Sequence, residues 1–116
     1  MAPTTLVDQV TTTSPYGRSL KNTGNPIRVC EMLATLDGAI YVARVAVNNP
    51  ANMVRAKAAI KTAFQHQLNG DGFAIVEVLS TCPTNWGMTP VKAVKWLEDN
   101  MMKVFPLGVF KSLEVK

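Results

Sequence analysis

Apolar positions in this 116-residue chain form two short, nearly continuous runs with a helical stretch between them. Ala39 to Val47 and Phe73 to Leu79 are rich in β-branched and aromatic residues, and the charges within them are Arg44 and Glu77. Runs of that length, apolar at successive rather than alternate positions, predict strands buried on both faces, as in parallel sheets. Between them, Asn48-Asn49-Pro50 supplies a capping side chain and a proline suited to the first helical position. The helix so opened is expected to turn Met53, Ala56, Ile60, Ala63 and Phe64 inward and to stop at Asn69-Gly70. Strand, helix and strand then make an α/β arrangement, a βαβ unit with parallel strands and a right-handed crossover.

The flanks are less regular. Val29 to Leu36 reads as a short helix ended by Asp37-Gly38. Thr89 and Pro90 open a flanking C-terminal helix expected to bury Val91, Val94, Leu97 and Met101. Val104 to Phe110, with Pro106 and Gly108, reads as an apolar tail that docks on a neighbouring surface. Residues 1–27 hold six threonines, three prolines and two glycines with no sustained period, and read as a long N-terminal loop. Such a length without structure is uncommon in a compact domain.

Composition narrows the function classes. At 47% hydrophobic and 17% charged, the chain carries less charge than the roughly 25% usual for soluble domains, which implies a surface partly covered by a partner. The net charge of +4 rests on twelve scattered Lys and Arg, and Arg55, Lys57 and Lys61 read as a solvated helix face, so no nucleic-acid partner is expected. Two cysteines far apart, Cys30 and Cys82, make no disulfide framework and favour a reducing, cytoplasmic setting. No secretory signal is visible at Met1-Ala2-Pro3, and no apolar stretch is long enough to span a bilayer, so no membrane association is expected.

Few residues offer chemistry. Cys82 lies between a predicted strand and a predicted helix start, where open α/β sheets place ligands; its plainer reading is a small packing residue. His66 has no histidine or acidic pair nearby in sequence and reads as a surface or boundary residue. Glu77, a carboxylate inside a strand, requires a partner, either Arg44 or a loop amide. Trp86 and Trp96 read as packing anchors. No nucleophile elbow, phosphate-binding P-loop, HExxH or CxxC is present.

Two stretches resemble a known family. Cys82-Pro83-Thr84-Asn85-Trp86-Gly87-Met88 and Phe105-Pro106-Leu107-Gly108-Val109-Phe110, with Met1-Ala2-Pro3-Thr4-Thr5 at the start, resemble the beta subunit of 2-oxoacid:ferredoxin oxidoreductases of the 2-oxoglutarate or 2-ketoisovalerate type. The resemblance covers Met1 to Phe110 and implies the carboxyl-terminal portion of a thiamine-diphosphate-binding fold. Residues 1–28 would be an extended loop from the cofactor side, and residues 29–116 the C-terminal part of a single domain. It further implies thiamine diphosphate, Mg and a [4Fe-4S] cluster in the full complex, with Cys82 as an iron–sulfur ligand and Thr4 and Thr5 near the diphosphate. Thr81 departs from the proline that many members carry. Cys30 matches no ligand position. The Gly70-Asp71-Gly72 triplet mimics the family's magnesium motif but falls between a helix end and a strand start, and is read as a C-cap turn. Implied partners are the alpha, gamma and ferredoxin-like subunits and ferredoxin. The activity implied is oxidative decarboxylation of a 2-oxoacid to an acyl-CoA. The isolated chain, with too few thiolates for a cluster, is expected to be inactive and cofactor-free. The alternative is a stand-alone α/β binding or assembly module.

Overall fold

A computed structural model describes residues 1–113. They fold as two compact units, one of Val29–Ser80 with the segment from Phe105 onward, the other of Met1–Arg28 with Thr81–Val104.

The first unit holds the βαβ motif. Strand β1 (Ala39–Ala46) pairs in parallel with β2 (Phe73–Leu79), and helix α3 (Pro50–Asn69) connects them. The expected apolar tail is instead a third strand, β3 (Gly108–Lys111), antiparallel to β1, so the sheet is mixed with order β2-β1-β3. The tail docks on its own chain because β1 would otherwise leave a row of backbone donors and acceptors unpaired on that side. As the central strand, β1 is buried along nearly all its length, which explains its lack of alternation. Tyr41, Ala43 and Val45 pack on Ala56 and Ala59 of α3, while Ala39 and Val42 pack on the other face with Cys30. Cys30 belongs to helix α2 (Val29–Leu33), which ends three residues before the expected Leu36.

Helix α3 begins and ends as the sequence foretells. The Asn49 side chain accepts from the Asn52 N–H at 2.8 Å, Pro50 is the first helical residue, and Gly70 closes the helix in the left-handed region at φ 70°. Asn49→Ala is expected to lower stability by about 1 kcal/mol, measured as a shift in urea midpoint with unchanged slope. The inward stripe differs from expectation. Asn52, Ala56 and Ala59 are buried with Ala63 packed beside them, whereas Met53, Ile60 and Phe64 are exposed. Small residues face the sheet because helix and strand approach closely there, and the larger apolar side chains are turned elsewhere.

In the second unit, residues 1–27 form a series of hydrogen-bonded turns with one helical turn, α1 (Leu20–Thr23). Short bridges join Val7 to Arg18 and Thr11 to Ser14. Asp8 takes a left-handed backbone at φ 64° and donates its N–H to the Arg18 carbonyl at 2.9 Å. After α4 (Pro83–Trp86) comes α5 (Pro90–Trp96), a π-helical turn (Leu97–Met101) and α6 (Met102–Val104). Ala93, Leu97 and Met101 are buried, Val94 is half-buried, and Val91 is exposed, contrary to its expected inward place. Residues four apart drift by about 40° in a regular α-helix, and the π turn, with more residues per turn, offsets that drift between Leu97 and Met101, both of which are buried.

Candidate functional site

Thr4, Thr5 and Cys82 all belong to the second unit, and no hydrogen bond joins them. Cys82 is a free, exposed cysteine. It is the N-terminal flanking residue of α4, held there because its carbonyl accepts from the Trp86 N–H at 2.9 Å and Pro83 is already set for a helix. Gly87 ends the turn at φ 67°, a conformation glycine reaches without strain, and Met88 donates back to the Pro83 carbonyl at 2.9 Å. Asn85 ties this loop to the N-terminal turns. Its carbonyl accepts from the Thr12 N–H at 3.0 Å, and its side-chain oxygen accepts from the Thr12 hydroxyl. Trp86 and Trp96 meet at 4.9 Å between ring centroids, as packing anchors would. The loop presents an exposed cysteine on a braced backbone.

Thr5 is buried and Thr4 half-buried. Their loop is organised by Arg18, which is 5% exposed. Its Nε donates to the Gly24 carbonyl at 2.9 Å, Nη1 to those of Thr5, Pro3 and Ala2 at 3.0, 3.1 and 3.3 Å, and Nη2 to those of Asn25 and Thr23 at 2.9 and 3.3 Å. Six carbonyl dipoles thus solvate one buried cation, where residues 1–27 contain only one carboxylate, Asp8. Sequence reading passed over Arg18 because a cation served by main-chain oxygens leaves no side-chain pattern.

The other charged cluster lies in the first unit around Arg44, the largest fully buried side chain. Nη1 and Nη2 grip Glu31 Oε1 and Oε2 at 2.8 Å each, and Nε donates to Glu77 Oε2 at 2.9 Å. Nη1 also donates to the Pro106 carbonyl at 3.2 Å. The guanidinium carbon stands 5.2 and 5.0 Å from the ring centroids of Phe105 and Phe110. Burial works against the charge, but hydrogen bonds and attraction from Glu31 and Glu77 outweigh it and hold the Arg44 pKa above its ordinary value. The expected Glu77–Arg44 pair is present; Glu31 and the two phenylalanines were not foreseen.

Cys30 is the second thiol of the chain and the opposite of Cys82. It is fully buried and donates to Glu77 Oε2 at 3.1 Å and to the Ala43 carbonyl at 3.5 Å. Burial first, then the Glu77 carboxylate, pushes its pKa from 9.0 up to about 12. The folded thiol therefore holds its proton across a range in which the unfolded thiol has lost it. The unfolded state binds fewer protons between pH 9.0 and about 12, so the Cys30 contribution is intact below 9.0 and declines as pH rises. Tyr41, raised by burial, adds in the same direction. Urea midpoints are expected to fall above pH 9, with Cys30→Ala removing part of the slope. Thiol reagents should modify Cys82 at once in the native protein and Cys30 only on unfolding.

The Gly70-Asp71-Gly72 triplet is a helix-ending turn. Asp71 Oδ2 lies 2.9 Å from His66 Nδ1, and the His66 ring lies 5.6 Å from that of Tyr41. Among the described residues, no group of three or more His, Cys, Asp or Glu is placed to hold a metal ion. No helix among them is long and apolar enough to cross a membrane.

No protein-family model matches the chain, and no solved structure does. Curated proteins do match. Over 111 residues, 96% of this chain, it is 43% identical to the ketoisovalerate oxidoreductase subunit VorA of Methanothermobacter thermautotrophicus, and it covers 23% of that protein. It is 38% identical over 105 residues to the 2-oxoglutarate synthase subunit KorB of Methanocaldococcus jannaschii, of which it covers 34%. Over 85 residues it is 36% identical to the pyruvate synthase subunit PorB of Pyrococcus furiosus, covering 24%. The chain therefore spans between 23% and 34% of the length of these relatives.

Proposed function

Because this chain belongs to the 2-oxoacid:ferredoxin oxidoreductase subunits, as a short segment of one, we propose that it is the carboxyl-terminal portion of the thiamine-diphosphate-binding subunit. In this reading the complete cytoplasmic complex, with alpha, gamma and ferredoxin-like subunits, decarboxylates a 2-oxoacid oxidatively to an acyl-CoA and passes the electrons to ferredoxin. The observation that carries it is the match along 96% of the chain to a ketoisovalerate oxidoreductase subunit.

The residues present fit part of the cofactor set. Cys82, an exposed thiol on a loop braced from both sides, suits a single iron–sulfur ligand, and the remaining thiolates of a four-cysteine site must come from elsewhere. Thr4 has a half-buried side chain on the loop that Arg18 shapes, and Thr5 is buried beside it, so the pair suits a wall of the diphosphate site. Asp71 is engaged by His66 and belongs to a helix cap, so it does not serve magnesium. When bound, the thiamine ring supplies a carbanion equivalent and the cluster a one-electron store. This chain's own part is to fix the Cys82 sulfur and to hold the Thr4–Thr5 turn in shape.

An immunoblot of source cells with an antibody against this chain tests the reading. A band well above 12.6 kDa, co-purifying with 2-oxoacid-dependent dye reduction and with iron, is expected. A band at 12.6 kDa without that activity would replace the reading with a stand-alone α/β binding or assembly module.

A further inference from the structure

Helix α4 (Pro83–Trp86) is a single turn. One turn does not hold itself in water, because several residues are ordered for one hydrogen bond. Cys82 depends on it, since the Cys82 carbonyl accepts from the Trp86 N–H. Contacts outside α4 must therefore set where the cysteine stands. Asn85, the third residue of the turn, is held by Thr12 at two points. Its carbonyl accepts from the Thr12 N–H at 3.0 Å, and its Oδ1 accepts from the Thr12 hydroxyl. The two residues are 73 positions apart, so no local rule supplies the link.

Thr12 stands on a stiff mount. Of the seven buried polar or charged residues described, five lie between positions 5 and 18: Thr5, Gln9, Thr11, Ser14 and Arg18. Gln9 Oε1 accepts from the Leu6 N–H at 2.8 Å, and the Ser14 hydroxyl donates to the Gln9 carbonyl at 3.0 Å. Thr11 and Ser14, on either side of Thr12, exchange main-chain hydrogen bonds at 3.2 and 3.1 Å and set their hydroxyls 2.6 Å apart. Arg18 joins the same frame through the Thr5 carbonyl at 3.0 Å. A buried polar network whose members are satisfied has few competing arrangements, so it fixes one geometry. Thr12 is the exposed residue of that frame whose hydroxyl reaches the Cys82 loop.

We infer that Asn85, held by Thr12, is a positioning residue for Cys82. The frame of residues 5–18 fixes α4, and α4 fixes the thiol. The inference rests on the subunit reading for what the thiol holds, an iron–sulfur cluster, but the link itself is read on the full 116-residue chain. Its two tryptophans report locally, because Trp86 ends α4 and Trp96 packs against it. Thr12→Val removes the hydroxyl and keeps the branched shape. The near-ultraviolet circular dichroism of the tryptophan pair should weaken and the Trp86 amide exchange about two- to tenfold faster. The melting temperature should stay unchanged, since Thr12 is exposed. Thr12→Ser keeps the hydroxyl and should behave as the parent chain. Asn85→Ala should match Thr12→Val, and the double variant should add nothing further. In the complete complex, Thr12→Val should keep its iron but yield it to a chelator about tenfold faster, with Thr12→Ser at the parent rate. An unchanged tryptophan signal and exchange rate in Thr12→Val, additive effects of the two substitutions, or a Thr12→Ser chain as altered as Thr12→Val overturns the inference. Iron lost in Cys82→Ser with normal chelator release in Thr12→Val overturns it and leaves the subunit reading standing, whereas iron retained in Cys82→Ser removes both.

Discussion

Arg44→Ala is expected to lower the stability of the chain by about 3–5 kcal/mol, a large share of the roughly 5–15 kcal/mol available to a domain of this size. The loss has three physical parts. Glu31 and Glu77 would each lose the charge-assisted bonds that Arg44 donates, and the Glu77 side chain is only 16% exposed. The rings of Phe105 and Phe110 would face a cavity where the guanidinium stood. The Pro106 carbonyl would lose its donor just before β3, so the third strand should loosen first. Hydrogen exchange at Val109 and Phe110 is the measurement, with urea midpoints for the whole chain. Lysine cannot restore the fork that holds both Glu31 oxygens, so Arg44→Lys should recover less than half of the loss. A triple change of Arg44, Glu31 and Glu77 to Met, Leu and Leu removes the charges together and should be far milder than Arg44→Ala. If the triple variant is the worse of the two, the cluster acts through something other than mutual compensation of buried charge.

Cys82→Ser in the complete complex is expected to abolish one four-iron cluster. About four iron atoms per subunit should disappear, with the corresponding paramagnetic resonance signal, and electron delivery should fall by on the order of 100-fold or more, since even outer-shell changes at metal sites cost about 10–100-fold. In the isolated chain the same change should leave the melting temperature unmoved, because Cys82 is exposed and makes no side-chain hydrogen bond among the described residues. Cys30→Ser is the matched control. It alters a fully buried thiol that donates to Glu77, so it should affect stability and leave iron content alone. Full iron content and an unchanged signal in Cys82→Ser would remove Cys82 from the ligand set.

Much of the first unit is legible in the sequence. The β1 and β2 runs, the Asn49-Pro50 cap, the Gly70 stop and the need of Glu77 for Arg44 each follow from local rules: apolar runs, orphan amides at a helix start, φ restrictions, and the cost of burying a lone charge. The family resemblance rests equally on short contiguous stretches. The features that sequence did not supply depend on residues distant in the chain or on main-chain groups. Residues 104–110 are apolar whether they dock elsewhere or pair with β1, and the free edge of β1, Phe105 and Phe110 around Arg44, and the Pro106 carbonyl decided the matter. For α3, periodicity shows apolar residues in two adjacent directions, and only the close approach of strand β1 selected the alanine line over Met53, Ile60 and Phe64. In residues 1–27 order comes from carbonyl oxygens converging on Arg18, and every residue carries a carbonyl, so no residue pattern encodes it. The sequence by itself determined the strands, the caps and the candidate thiol, because those depend on near neighbours and residue type. Only the tertiary structure decided which helix face is buried, where the last strand goes and what the buried cations meet, because those depend on how distant segments share space.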